Sequence, residues 1–179
     1  MAFVGRDGQK IERKYLELWV DVSEAGSSTP EWELQGRGIE ESAIELNTEV
    51  NKVKDILGFV DTSIDGMQPQ QSFDPNSLRV GRKLDEKLHE LYRTRDLAGF
   101  TGFNVLTVYR YILGTEEGTF EADMETNCTL EVSSLGGSAY MDMPFVLHNS
   151  NEITRGTVTY VDGKPVFTAS TGIVKDDEL

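Results

Sequence analysis

Positive charge is scarce in this chain. Seventeen Lys and Arg stand against 31 Asp and Glu over 179 residues, a formal net charge of −14. Sequence-independent binding to nucleic acid or to an anionic membrane needs clustered cations, so the charge argues against both. Cysteine is nearly absent. The single Cys128 cannot form an internal disulfide, and as a lone thiol on an apolar strand face it reads as a small core residue. With two distant histidines, His89 and His148, and one cysteine, a structural zinc site of four nitrogen or sulfur ligands cannot be assembled, and neither histidine sits in a nucleophile-elbow or papain-like context. No P-loop, dinucleotide fingerprint or calcium loop occurs. No apolar run reaches membrane-spanning length, and the opening MAFVGRDGQKIERK has no apolar leader segment. The expectation is a soluble protein made in a cytosol, without cofactor, metal or membrane anchor, and not an enzyme. Carboxylates are plentiful, but acid–base pairs work in clefts with apolar walls that separate their pKa values, and alternating strand carboxylates are poorly suited to that.

What the chain does have is alternation. In TFEADMETNCTLEVSS, 119–134, Phe120, Ala122, Met124, Cys128, Leu130 and Val132 take the even positions, while Glu121, Asp123, Glu125 and Glu131 fall on odd ones. Period two predicts a half-buried strand whose wet face is acidic and free of cations. SAIELNTEVN, 42–51, repeats the pattern, with Ile44, Leu46, Thr48 and Val50 opposite Glu45, Asn47 and Glu49. Further strands are expected over 15–22, 31–36, 102–113, 139–148, 153–161 and 165–170. The strand over 102–113 has little polar face and should pack on both sides. Pro144 puts the one over 139–148 at an edge or a bulge, and Asp162-Gly163 signals a type I′ hairpin. Trp19 and Trp32 read as core or interface residues.

One helix is expected over 77–94, with Val80, Leu84, Leu88, Leu91 and Tyr92 on its apolar face and Asp74-Pro75 or Ser77 as its cap. Gly81 weakens its first turn, so the stable part should begin near Arg82. Charge is uneven along the chain: residues 77–115 hold seven cations and four carboxylates, whereas 116–179 hold three and twelve. Between the acidic strand over 42–51 and the helix, residues 52–75 lose clean periodicity. The segment is either two short strands or a long excursion, and such excursions are usually functional. It carries Ile56, Leu57, Phe59, Val60, Ile64, Met67 and Phe73, too apolar for a free linker.

The sum is a mainly β, antiparallel sandwich or barrel with one flanking α-helix. The domain spans 15–170, after a flexible arm over 1–14 and before an acidic tail over 171–179. Within it, Glu116, Glu117, Gly118, Phe120 and Ala122 form a turn and strand, followed by Leu135-Gly136-Gly137 and a last strand reaching Arg155-Gly156-Thr157-Val158. Over roughly residues 30–160 this order resembles the major tail, or tail tube, proteins of long-tailed phages and related prophages. It departs from them in DPNSLRVGRKL, ahead of the helix.

The resemblance implies a virion protein that assembles into hexameric rings stacked as a tube, with a long loop or hairpin and the terminal arms bridging subunits. The implied partners are further copies of the chain and the tape-measure, tail-tip and terminator proteins. DNA would pass through the lumen without specific binding. On that reading a carboxylate wall repels DNA, and either Glu121, Asp123, Glu125 and Glu131 or Glu45 and Glu49 line the bore. Segment 52–75 is then expected to be loosely ordered in a monomer and buried between subunits, its seven apolar residues making the contacts. A ring-forming terminator or connector, or a β-sandwich binding module, are the competing readings.

Overall fold

A computed structural model describes residues 3–24 and 26–170; the acidic tail expected over 171–179 lies outside them. The fold is mainly β and antiparallel, with one α-helix. In chain order the strands are β1 (Leu16–Asp21), β2 (Trp32–Leu34), β3 (Ile44–Glu45), β4 (Thr48–Lys54), β5 (Val60–Met67) and β6 (Gln70–Phe73). The helix α1 (Lys83–Thr94) follows, then β7 (Phe103–Leu113), β8 (Phe120–Val132), β9 (Phe145–His148), β10 (Ile153–Val161) and β11 (Lys164–Ala169). Hydrogen bonding orders the main sheet β2-β1-β7-β8-β9-β6-β3, with β10 also on β8 and β11 on β10; β4 and β5 pair only with each other. The chain divides into two compact units, the second comprising Gly36–Asn104 and Glu125–Glu152, the first the remaining described residues.

The first unit is built on β1, β2, β7, the start of β8, β10 and β11. Trp19, Trp32, Leu106, Val108, Ala122 and Val158 form its core cluster, flanked by Phe120, Met124, Tyr160 and Phe167. Val105, Leu106, Thr107 and Val108 are all buried, so β7 packs on both faces as its small polar face predicts. The carboxylate of Glu17 is the polar centre of this unit. It accepts from Trp19 Nε1 at 3.0 Å, Arg110 Nη1 at 3.0 Å and the Tyr160 hydroxyl at 2.5 Å. The Arg110 guanidinium in turn lies over the Phe120 and Tyr160 rings. Burial, then the Glu17 hydrogen bond, raises the Tyr160 pKa far above the ordinary phenol value and keeps the hydroxyl a donor. Asp162 and Gly163 both take positive φ, 50° and 77°, and close β10 onto β11 through the two-residue turn their sequence signals. The arm before β1 is held on the same unit: Val4 N donates to the Tyr111 carbonyl at 2.8 Å and Phe3 bridges Ile112.

The second unit buries Phe73, Leu84, Leu88, Cys128, Leu130, Met143, Phe145 and Leu147. Its sheet runs from the later part of β8 through β9 and β6 to β3, and the Phe73 and Phe145 rings stack at 4.8 Å. Helix α1 starts just after Arg82, where Gly81 leads the sequence to expect it, but no side chain caps it. Neither Asp74-Pro75 nor Ser77 acts as the cap. Instead the buried Asp85, in the first turn, accepts from Arg79 N at 3.0 Å and Asn76 Nδ2 at 3.3 Å, a favourable place for a carboxylate beside the helix N-terminus. Val80 precedes the helix and is fully exposed, so it drops out of the apolar face expected for it.

Three strand expectations need correction. The run over 42–51 is two strands, because Asn47 adopts a left-handed conformation (φ 44°) that ends β3 and starts β4 in a new direction. The strand expected over 139–148 is only β9, with Tyr140 and Met141 exposed. Pro144 stands just before it, and β9 is an interior strand between β8 and β6, so the proline marks neither an edge nor a bulge. Residues 52–75, expected as two short strands or a long excursion, are strands: the end of β4, β5 and β6 account for most of them.

Candidate assembly surfaces

Two surfaces of the second unit stand out, one polar and one apolar. The polar one is a sheet face. The register sets Thr129 opposite His148, His148 opposite Gln70 and Gln70 opposite Glu45, one row across β8, β9, β6 and β3. Two residues along, Glu131, Val146 and Ser72 form the adjacent row on the same face. The opposite face carries the buried Leu130, Leu147, Gln71, Phe145 and Phe73. On the open face His148 Nε2 lies 2.7 Å from Glu131 Oε2, and Gln70 Nε2 donates to Glu45 Oε2 at 3.1 Å. Its named residues include two carboxylates and neither Lys nor Arg.

The six acidic residues singled out in the sequence therefore do not form one or other strand face as expected. Glu45 and Glu131, on strands far apart in sequence, share a face because β6 and β9 lie between β3 and β8. Glu49 stands on β4, beyond the break at Asn47. Glu121 and Asp123 belong to the first unit, where Asp123 accepts from the Tyr109 hydroxyl at 3.0 Å. Glu125 is buried and accepts from Asn149 Nδ2 at 2.6 Å. The physical cause is local: Asn127 takes φ 58° and interrupts the regular geometry of β8. Around this kink Glu152 accepts from Thr126 Oγ1 at 3.0 Å and Asn127 Nδ2 at 2.6 Å, and Ser150 Oγ donates to the Thr126 carbonyl.

The apolar surface is the hairpin of β4 and β5. None of its strand residues is buried. Val50, Val53, Val60, Ile64 and Met67 are exposed along it, and Ile56, Leu57 and Phe59 at its tip. The tip is nonetheless well formed: Asp55 Oδ1 accepts from Leu57 N at 2.9 Å and Phe59 N at 2.8 Å, and Asp55 N donates to the Phe59 carbonyl at 2.9 Å. The root is tied by asparagines. Asn47 Nδ2 donates to the Gln68 carbonyl and Asn151 Nδ2 to the Met67 carbonyl, each at 3.2 Å, while Asn149 N donates to the Pro69 carbonyl at 3.0 Å. Of the seven apolar residues expected at subunit contacts, Ile56, Leu57, Phe59, Val60, Ile64 and Met67 are on this hairpin and exposed. Phe73 is the correction: it pairs with Phe145 in register and is buried in its own unit's core.

The anchoring asparagines were not singled out from the sequence. Their signal was Asn inside or beside strand-like runs, since Asn tolerates positive φ and carries a side-chain donor. Among the described residues no His, Cys, Asp and Glu side chains group as a metal site, and no helix is long and apolar enough to cross a membrane. No protein-family model matches the chain, and comparison with characterised proteins finds no relative.

Proposed function

We propose that the chain is a self-assembling structural subunit of a phage-type tail tube, with a sandwich or barrel of the tail-tube kind. It forms stacked, hexameric rings around a lumen through which DNA passes without specific binding. The role involves no catalytic step and no cofactor. It belongs to the virion tail, with tape-measure, tail-tip and terminator proteins as further partners. The observation that carries this reading is the β4–β5 hairpin: a hydrogen-bonded element with an apolar tip that none of the described residues covers. Exposed apolar surface of that kind marks an interaction site, and an isolated two-stranded hairpin gains stability when packed.

The cation-free face of β3, β6, β9 and β8 supports the same reading as a candidate for the lumen wall. Each Lys or Arg reaching a phosphate adds affinity by counterion release, and a stacked tube multiplies such contacts. Glu45 and Glu131 would oppose them by repulsion within a screening length of about 8–10 Å. Electron microscopy of the purified protein across a concentration series tests the reading. Long hollow tubes are the expected result. Rings that never stack would point to a terminator or connector, and a monomer at every concentration to a binding module. Tubes formed by a chain carrying Glu45→Lys and Glu131→Lys should retain DNA at low salt where wild-type tubes release it. Equal release would remove this face from the lumen.

A further inference from the structure

The β4–β5 ribbon buries none of its strand residues, so core packing does not fix its direction. Both of its strands also leave the sheet through irregular residues. Asn47, at φ 44°, separates β4 from β3, and Gln68-Pro69 separates β5 from β6. Gln68 N donates to the Leu46 carbonyl at 3.1 Å and Asn47 Nδ2 to the Gln68 carbonyl at 3.2 Å. These bonds close the root on itself, and a root closed on itself can still swing as a unit. Its direction needs a hold from another part of the chain.

Residues 149–152 supply one. They leave the end of β9, which lies between β6 and β8, so they run between the hairpin root and the kink of β8 at Asn127. Their hydrogen bonds divide the same way. Towards the root, Asn149 N donates to the Pro69 carbonyl at 3.0 Å and Asn151 Nδ2 to the Met67 carbonyl at 3.2 Å. Towards the kink, Asn149 Nδ2 donates to Glu125 Oε1 at 2.6 Å, and Ser150 Oγ to the Thr126 carbonyl. Glu152 Oε2 accepts there from Asn127 Nδ2 at 2.6 Å and Thr126 Oγ1 at 3.0 Å, and its carbonyl from Thr126 N at 3.3 Å. Glu152 N donates back to Ser150 Oγ at 3.0 Å and closes the segment. The kink side uses carboxylate acceptors and is the stronger anchor; the root side uses neutral amides and carbonyls and is the weaker.

We infer that residues 149–152 are a strap that sets the direction of the β4–β5 hairpin and is itself anchored on the β8 kink by Glu152. Asn151 holds the hairpin directly, at Met67, the last residue of β5. Glu152 bonds to the kink and acts on the hairpin through its neighbour Asn151, so it is a positioning residue. A change at the kink therefore reaches an apolar tip far from it in the chain. The strap belongs to the single subunit and does not depend on whether copies assemble.

The test measures the hairpin's direction as a distance. Spin labels go on the full chain at Thr62→Cys on the hairpin and Ser72→Cys on β6, both exposed positions, while Cys128 is buried. Electron–electron double resonance is recorded at a dilution where sedimentation shows single chains, and far-UV circular dichroism checks folding. The labelled parent should give one narrow distance. Asn151→Ala and Glu152→Ala should each raise the population at other distances about tenfold, the scale of one lost hydrogen bond. Glu152→Gln keeps an oxygen that can accept from Thr126 and Asn127, and should restore the narrow distribution. Glu131→Ala, which loses the His148 contact on the same sheet, should leave it unchanged. A parent-like distribution in Asn151→Ala overturns the strap, whatever Glu152→Ala does. A parent-like distribution in a folded Glu152→Ala overturns the anchor on the kink. Equal broadening by Glu131→Ala would mean general loosening of the sheet and overturns the assignment to residues 149–152.

Discussion

Two antiparallel hairpins of this molecule invite comparison. β10–β11 and β4–β5 are both closed antiparallel ribbons, the second with one register shift between Glu49 and Val50, yet the first buries Gly156, Val158 and Pro165 while none of the strand residues of the second is buried. β10 also pairs with β8, so one face of its ribbon has a core to meet. The β4–β5 ribbon has only local order: the Asp55 turn at the tip and the asparagine ties at the root. Regular backbone hydrogen bonding therefore says nothing about whether a strand serves the fold. What separates the two is where their apolar side chains go.

Core and hairpin variants sharpen this contrast, and the largest effects fall in the first unit. Leu106→Ala removes a fully buried side chain from the core cluster and should cost about 2–5 kcal/mol by chemical denaturation. A loss no larger than that of Ile64→Ala on the open hairpin would break the comparison. Gly156→Ala comes next, at about 1–3 kcal/mol. An added methyl group there would lie 2.6 Å from the Phe167 ring and against the Thr168 carbonyl, with the partner strand leaving no room to move. Tyr160→Phe withdraws a hydroxyl from the Glu17 carboxylate and should cost about 1.5 kcal/mol in the same assay.

Cys128 extends the comparison to pH. Burial pushes its thiol up to about 11 from the ordinary value of 9.0. The folded state thus binds this proton more tightly than the unfolded state does. Its contribution is constant below about pH 9 and falls as pH rises from there towards 11. Alkylation at pH 8 should be slow in the native protein and fast in denaturant; rapid native labelling would show the thiol to be open. The smallest effect on stability is expected for the combined tip change of Ile56, Leu57 and Phe59 to Ser. It should shift the unfolding midpoint by less than about 0.5 kcal/mol, as surface substitutions do. The same variant should fail to assemble, so normal tubes from it would detach the hairpin tip from the assembly contact.

Much of the fold was legible because local chemistry and final structure agree. β7 reads as doubly buried from its small polar face, the Asp162-Gly163 turn from its dipeptide, and the start of α1 from Gly81. The errors share one cause. Alternation tells which residues share a face only while the backbone stays regular, and Asn47 and Asn127 at positive φ interrupt it. Glu49 thereby parts from Glu45, and Glu125 goes inside. The apolar residues of 52–75 were visible in the sequence as needing a contact, but Phe73 could not be told from Phe59. One is paired in register with Phe145 and the other sits on an open turn.

By itself the sequence determined a cation-poor composition, a mainly β pattern with one helix, and an apolar segment too greasy for a linker, since each depends on residue type and near-neighbour spacing. Only tertiary structure decided that Glu45 and Glu131 share one open face, that Phe73 belongs to a core, and that residues 149–152 run between the hairpin root and the β8 kink. Those facts depend on which strands pair and in what register, and hydrogen bonding between segments distant in the chain sets both.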